Sequence, residues 1–464
     1  MKNNNRNYIF NIVHTILPIL CSAIVYPYIL RTLEVENMGR IGYCQSILNY
    51  FILLANLGIE SYAIRVGSKL IEDKNKFNYF YSQIFKIGLV SSLVSFLLYY
   101  LIASNDMMSE YRDILMLISI NIFVSNMSFD WIAKIKGKFL FLSLMTITLQ
   151  VIQTVFVFGI VRTQNDVFRY LLLLCFMSLF AVIVKFVLNR RNTKFIVTAK
   201  VEIESIKAVL ILFFNSVMVT VYVNLDMTML GFYCGDYSVG IYSFAVTLYT
   251  ILKSLSSAMI GVKFPIVSKA VNDKDCFKKE IEDLIQKTVL LCSPCVVGIL
   301  CICKELTLCI GGISYIKSVS VLRVLCVAFI FATIACIMAN CVYLPLCREK
   351  EVLRVTTISA LSNFVLNMIL IPKYGYIAAG VTTLISEFVS SLLLFFNGRE
   401  YVEIRKVSRS MRKPAVGCLC IVVISILCKI MSDDYILRTL LSISISVVIY
   451  ILINRKELRE LLSV

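Results

Sequence analysis

The chain has 464 residues, 59% of them hydrophobic and only 16% charged, with a mean hydropathy of +0.83 and a formal net charge of +17. Soluble domains average about 25% charged residues, so this composition excludes a water-soluble globular protein. The surplus of bases does not mark a nucleic-acid binder, because it is scattered through many short segments between apolar runs.

Apolar runs of about 20 residues recur from end to end, each long enough to cross a hydrocarbon core of about 30 Å. A β-barrel is excluded, since its strands would alternate in polarity rather than run continuously apolar. The runs predict an all-α polytopic membrane protein of about 14 transmembrane helices, at 7–30, 40–61, 79–103, 113–133, 139–161, 169–188, 207–231, 240–262, 288–310, 320–343, 354–371, 378–398, 414–432 and 438–453. The first run is too long for a signal-peptide core and lacks a small-residue exit, so no cleavable signal is expected. Lys and Arg concentrate in alternate connecting segments. The positive-inside rule then places both termini in the cytoplasm, which requires an even number of spans.

Several spans carry a polar stripe at helical spacing. In the first span His14, the only histidine, is expected to hydrogen-bond within its bundle. The second has Gln45, Asn49, Asn56 and Glu60, and the third has Lys86 about two turns in from the cytoplasm. The fourth has Asn121, Ser125 and Ser128 before Asp130, and the seventh has Asn215, Tyr222 and Asp226. The eighth has Thr250, Lys253 and Ser257, the eleventh Ser359, Asn363 and Asn367, and the twelfth Glu387. Such stripes serve either as hydrogen-bonded glue between packed helices or as the walls of a hydrated cavity. Their number, spread over both halves, points to a cavity. Lys253 and Glu387 lie near mid-membrane, where an ionised group is costly without a partner; they read either as a structural pair or as part of a substrate site. Lys304, Glu305, Arg323 and Lys429 lie near outer ends and are expected to snorkel.

The connecting segments 61–78 and 262–287 are long and charged. In the second, Phe277, Ile281, Leu284 and Ile285 share a helical face, which suits either the membrane interface or the ends of the bundle. The segment 399–413 holds six bases and reads as a joint before an added helix pair. The expected organisation is therefore residues 1–200 as one six-helix bundle, 201–400 as a second, and 401–464 as two further helices with a tail. A faint internal repeat supports this. Gly39 to Ser46 aligns with Gly240 to Thr247 at an offset of 201, each after a span and a turn of about nine residues. At that offset Asn49 matches Thr250, Asn56 matches Ser257, and Lys253 falls opposite Ile52.

Most of the 17 cysteines lie inside apolar runs and read as small hydrophobes, including the pair Cys292 and Cys295. With a single histidine, neither a zinc pair of the H-E-x-x-H type nor a Ser/His/Asp triad can form, and no Walker A sequence is present. No cofactor, metal or catalytic group is expected. A secondary carrier or flippase is the reading that remains.

Four stretches carry a family resemblance. They are Met38 to Arg65 (MGRIGYCQSILNYFILLANLGIESYAIR), the pair Asp130-Trp131, Leu225 to Gly231 with Gly240 to Ala245, and Asn363 to Glu387 (NFVLNMILIPKYGYIAAGVTTLISE). In these the chain resembles the Wzx-type polysaccharide flippases, or O-antigen transporters, of the multidrug/oligosaccharidyl-lipid/polysaccharide exporter superfamily. The resemblance implies two pseudo-symmetric six-helix bundles around a central cavity, plus two C-terminal helices. It implies export of undecaprenyl-diphosphate-linked oligosaccharide across the bacterial inner membrane by alternating access, with the lipid bilayer and a polysaccharide polymerase or ligase as partners. On that basis Lys253, Lys86 and Arg40 are candidate cations for the diphosphate, and Asn49, Asn56, Thr250, Asn363 and Asn367 candidate sugar contacts. Asp226, Glu387 and Asp130 are candidates for ion coupling or structural charge. The alternatives are a multidrug or lipid II exporter of the same superfamily, or a membrane glycosyltransferase or polymerase.

Overall fold

A computed structural model describes residues 2–137, 139–190, 193–402 and 411–462. The side chains of His14 and Asn215 and most of the basic joint 399–413 lie outside the described residues. Ten helical stretches among the described residues are long and apolar enough to cross a membrane. Three are of double length: within α1 (Lys2–Asn56), α9 (Ile203–Ala270) and α13 (Glu349–Gly398). A straight helix of 50 residues would be about 75 Å long, more than twice the hydrocarbon core, so each supplies two crossings. With the apolar helix α7 (Phe139–Ile160) the crossings reach the expected fourteen.

The expected turns between these paired spans, about nine residues in the first two, shrink to single non-helical residues. The two arms of α1 meet at one non-helical residue, Glu34 (φ 65°, ψ 176°), those of α9 at Gly235 (φ 74°, ψ 177°), and those of α13 at Gly375 (φ 58°, ψ −138°). The flanking charged residues suggested coil. Beyond the hydrocarbon, however, a polar helix end is solvated while its backbone bonds stay made, so nothing unwinds it.

By packing, the chain forms two compact units, Met1–Thr228 and Met229–Val464, divided within α9. The first contains α1, α2 (Ile59–Leu70), α3 (Lys74–Ala103), the short helices α4 (Arg112–Ile118), α5 (Asn121–Asn126) and α6 (Asp130–Ile135), then α7, α8 (Val167–Arg190) and the start of α9. Two of its crossings are broken. The second is interrupted at Leu57 (φ 45°) and Gly58 (φ 74°), the fourth at Phe129 (φ 52°). Asn126, just before the second break, donates to the carbonyls of Ala55 (2.7 Å) and Gly88 (3.1 Å) and to Ser92 Oγ (2.9 Å). Ser91 donates to Ala55 O as well, at 2.6 Å. The two bonds to Ala55 O satisfy a carbonyl that the helix end would otherwise leave bare in the membrane. Below the breaks Phe77, Phe80, Tyr81, Phe129 and Trp131 form an aromatic core, with Phe77 and Phe80 each within 6.3 Å of the indole, centroid to centroid.

Residues 194–200 of the connector after α8 are held by one face of α3. Asn78 Oδ1 accepts from Lys194 N (2.9 Å) and Ser82 Oγ from Ile196 N (2.8 Å). Tyr79 Oη accepts from Lys200 N (3.1 Å), and Gln83 Nε2 donates to Lys200 O (2.6 Å). The spacing 78, 82, 86 is one stripe of a helix, and Lys86 completes it.

The second unit contains the rest of α9, α10 (Lys274–Cys301), α11 (Cys303–Gly311), α12 (Ser318–Ile337), which widens into a π-helical turn over Met338–Tyr343, and α13. It also contains α14 (Arg412–Met431), α15 (Tyr435–Ile453) and α16 (Arg455–Leu462). Phe277, Ile281 and Leu284 are buried in its core with Met338, Tyr343 and Leu394, so this apolar face packs on the bundle. Asp273 caps α10 as Asp73 caps α3, each accepting from the backbone N–H groups two and three residues on, and each followed by a buried Phe, 277 and 77. The added pair docks on α10: Tyr450 Oη donates to Leu290 O (2.8 Å), and Ser425 and Ser442 bond across α14 and α15 (2.9 Å).

Candidate functional site

In the first unit a cavity of about 370 Å³ opens beside the two helix breaks. Asn49 and Asn56 line it with Glu60, Ser125, Asn126, Ser128, Trp131, Thr220 and Asn224. A chain of amides runs along one wall: Gln45 Nε2 donates to Asn49 Oδ1 (3.1 Å), Asn49 Nδ2 to Asn224 Oδ1 (2.8 Å), and Asn224 Nδ2 to Thr220 O (2.9 Å). Nearby Thr228 Oγ1 donates to Ser46 Oγ (2.9 Å) and lies 3.1 Å from the Tyr50 hydroxyl. The polar stripe of the second span therefore faces a cavity. The stripes alone could not reveal that Asn224 and Thr220 complete it, because the seventh span was read through Tyr222 and Asp226. Asp226 is buried, 5% exposed, two residues before Thr228.

The candidate cations of this unit lie elsewhere in it. The Lys86 ammonium donates to Val197 O and Ala199 O, both at 2.6 Å, and finishes the clamp on the connector. Its neighbours are Leu54, Leu57 and Val90 in a separate, apolar recess. Arg40 is half-buried near the start of the second arm of α1. Asp130 pairs with Lys185 of α8 at 2.7 Å.

In the second unit Lys253 and Glu387 meet. The Lys253 ammonium is 3.1 Å from Glu387 Oε1, and the Tyr249 hydroxyl donates to the same oxygen at 3.0 Å. The ammonium also lies over the Tyr249 ring, 5.2 Å from its centroid. The pair is asymmetric: the Lys253 side chain is 38% exposed, that of Glu387 only 8%. One turn of α9 carries both Tyr249 and Lys253, so a single helix face grips the carboxylate twice. Thr250 is exposed and returns its hydroxyl to Val246 O. Asn363 and Asn367 are fully buried; Asn367 donates to Asn363 Oδ1 (3.0 Å) and accepts from Thr382 of the facing arm of α13. They bind the two arms of that hairpin together.

Two charge clusters escaped the sequence reading. Lys263, only 6% exposed, holds Glu280 (2.8 Å) and Asp283 (2.6 Å), and Asp283 also pairs with Lys287 (2.9 Å). Lys429 does not snorkel alone: with Arg438 it flanks the buried carboxylate of Glu305, at 3.6 and 3.5 Å. Their partners sit on other helices, and apolar patterning carries no record of them. Among the described residues no cluster of His, Cys, Asp or Glu could hold a metal ion.

A family model described as polysaccharide biosynthesis protein matches residues 5–271. A probable low-salt glycan biosynthesis flippase, Agl15, of Haloferax volcanii is 28% identical over 171 residues, so the chain spans only 36% of that relative's length. A putative O-antigen transporter of Escherichia coli is 23% identical over 392 residues, covering 81% of this chain and 92% of the relative. Among solved structures, the lipid II flippase MurJ in an inward closed conformation superposes with a TM-score of 0.77 at 18% identity, over 98% of this chain and 100% of that one. An inward-facing multidrug resistance transporter of the MATE family, in the MOP superfamily, gives 0.62 at 13% identity over 85% and 95%. At these identities the structural likeness is one of fold.

Proposed function

Starting from a chain that belongs to the polysaccharide biosynthesis protein family, we propose that it moves undecaprenyl-diphosphate-linked oligosaccharide repeat units across the bacterial inner membrane. It is a multi-pass membrane flippase of polysaccharide biosynthesis in the MOP superfamily. In this reading both termini are cytoplasmic, the carrier works by alternating access, and the exported units feed a polymerase or ligase that builds O-antigen or capsule.

The observation that carries the reading is Lys253. A half-exposed ammonium within an apolar membrane-length helix is unusual, and this one is held by a buried carboxylate and a tyrosine ring. An anionic headgroup can approach the exposed side of the ammonium. The Tyr249 hydroxyl stays on Glu387 when the lysine turns toward that ligand, so the carboxylate keeps a donor. With the cytoplasm negative, outward movement of the headgroup is downhill by about 2.3 kcal/mol per charge per 100 mV. Glu387, Asp226 and Asp130 are the groups through which an ion could be coupled.

Deletion of the gene tests the function. Cells without the protein and without a redundant carrier are expected to accumulate lipid-linked repeat units facing the cytoplasm. Normal surface polysaccharide in that strain would overturn the proposal.

A further inference from the structure

The chemistry of the first unit's cavity is of a different kind from that around Lys253. No lysine or arginine is among its lining residues, and its one charged group, Glu60, is an acid already paired with Lys134. A diphosphate placed there would meet a carboxylate, and the ammonium on that carboxylate, Lys134, is already engaged by it. What the cavity offers is amides and hydroxyls. Each amide has two donor hydrogens and two acceptor lone pairs; the bonds along the wall use one donor of Asn49 and one of Asn224 and leave the second of each. Asn56 and Ser128 line the same space, and neither side chain bonds to a protein group among the described residues. The indole of Trp131 supplies an apolar wall. The volume, about 370 Å³, falls within the ~300–1,000 Å³ of small-molecule sites.

Position adds to chemistry. Non-helical backbone at membrane depth persists where it lines a cavity, and broken helices mark binding sites in carriers. Here two breaks, at Leu57-Gly58 and Phe129, lie at the rim of one polar cavity.

We propose that this cavity is a subsite for uncharged sugar rings and rejects the diphosphate. The inference rests on the flippase reading and deepens it: the glycan and the anionic headgroup are recognised by different chemistry in different parts of the chain.

Trp131 is the only tryptophan in the sequence, so tryptophan emission comes from this one wall of the cavity. The experiment uses the full-length purified protein, titrated with a panel of uncharged disaccharides built from hexose, 6-deoxyhexose and N-acetylhexosamine, and separately with inorganic pyrophosphate. At least one disaccharide is expected to shift the emission saturably, while pyrophosphate does not. Asn224→Ala and Asn56→Ala are each expected to weaken that response by about 5- to 10-fold, the loss of one hydrogen-bonding side chain. Asn56→Ala guards against misfolding, because its amide holds no protein group. Lys253→Ala is expected to keep the sugar response while losing export, which separates failure of the subsite from failure of the function. A pyrophosphate response at Trp131, no response to any disaccharide, or an unchanged response in both asparagine variants would overturn the proposal.

Discussion

Glu34 and Gly235, 201 positions apart, hold the same backbone conformation, φ 65° and ψ 176° in one and φ 74° and ψ 177° in the other. The separation equals the offset of the sequence repeat, so each half turns its first helical hairpin on the corresponding residue. That region of backbone space is open almost only to glycine, and a side chain there costs of order 1–3 kcal/mol. The first half therefore carries a strain that the second avoids. Gly235→Ala is expected to lower the melting temperature of the purified protein, and Glu34→Gly to raise it. Shifts of both variants in the same direction would refute the shared turn.

Lys253→Ala is expected to reduce export of lipid-linked units by about tenfold or more, because it removes the half-exposed ammonium that meets the anionic headgroup. Lys429→Ala should reduce it less, since Arg438 remains on Glu305. The comparison is made at equal protein abundance, by surface polysaccharide. Equal export by the two variants would remove Lys253 from the site.

Gly417 packs against Tyr450 so closely that an added Cβ would lie 2.6 Å from the ring and 2.9 Å from Asn454 Nδ2. Gly417→Ala is expected to cost about 1–3 kcal/mol by overpacking and to loosen α14 from α15 and α10. Faster hydrogen exchange over residues 435–453 is the check; wild-type exchange would show that the ring swings aside.

The backbone N–H groups of Lys76 and Asn75 hold the Asp73 carboxyl below the usual aspartate range. A depressed folded value means the cap stabilises α3 fully above the ordinary carboxylate pKa and is lost as pH falls through the folded one. Titration of the Asp73 side-chain carbon signal should give a midpoint below that of a free aspartate. An ordinary midpoint would mean that the cap does not form in solution.

Much of this architecture was legible because a membrane span must be continuously apolar, and fourteen such runs can be counted from Asn7 to Ile453. The hairpin turns were not, because charge near a helix end says that the chain is in water, not that it has stopped being helical. The stripe of Asn49 and Asn56 gave one wall of the polar cavity. Asn363 and Asn367 made an equal stripe, yet they are fully buried against Thr382; periodicity cannot tell a wet face from hydrogen-bonded glue. The sequence offers Lys86 as a candidate cation for the diphosphate and is silent on its partners, Val197 O and Ala199 O, which are backbone atoms more than a hundred residues away. The break after Asn56 did leave a trace, since Asn-Leu-Gly is a helix-stop signal inside an apolar run.

The clamp on residues 194–200 also bears on the order of synthesis. Its holders, Asn78 through Lys86, leave the ribosome more than a hundred residues before the segment they hold, several seconds or more at ~5–20 residues per second. The residues that hold the connector are therefore synthesised before it. The first repeat can fasten its own exit segment before the second repeat has been translated.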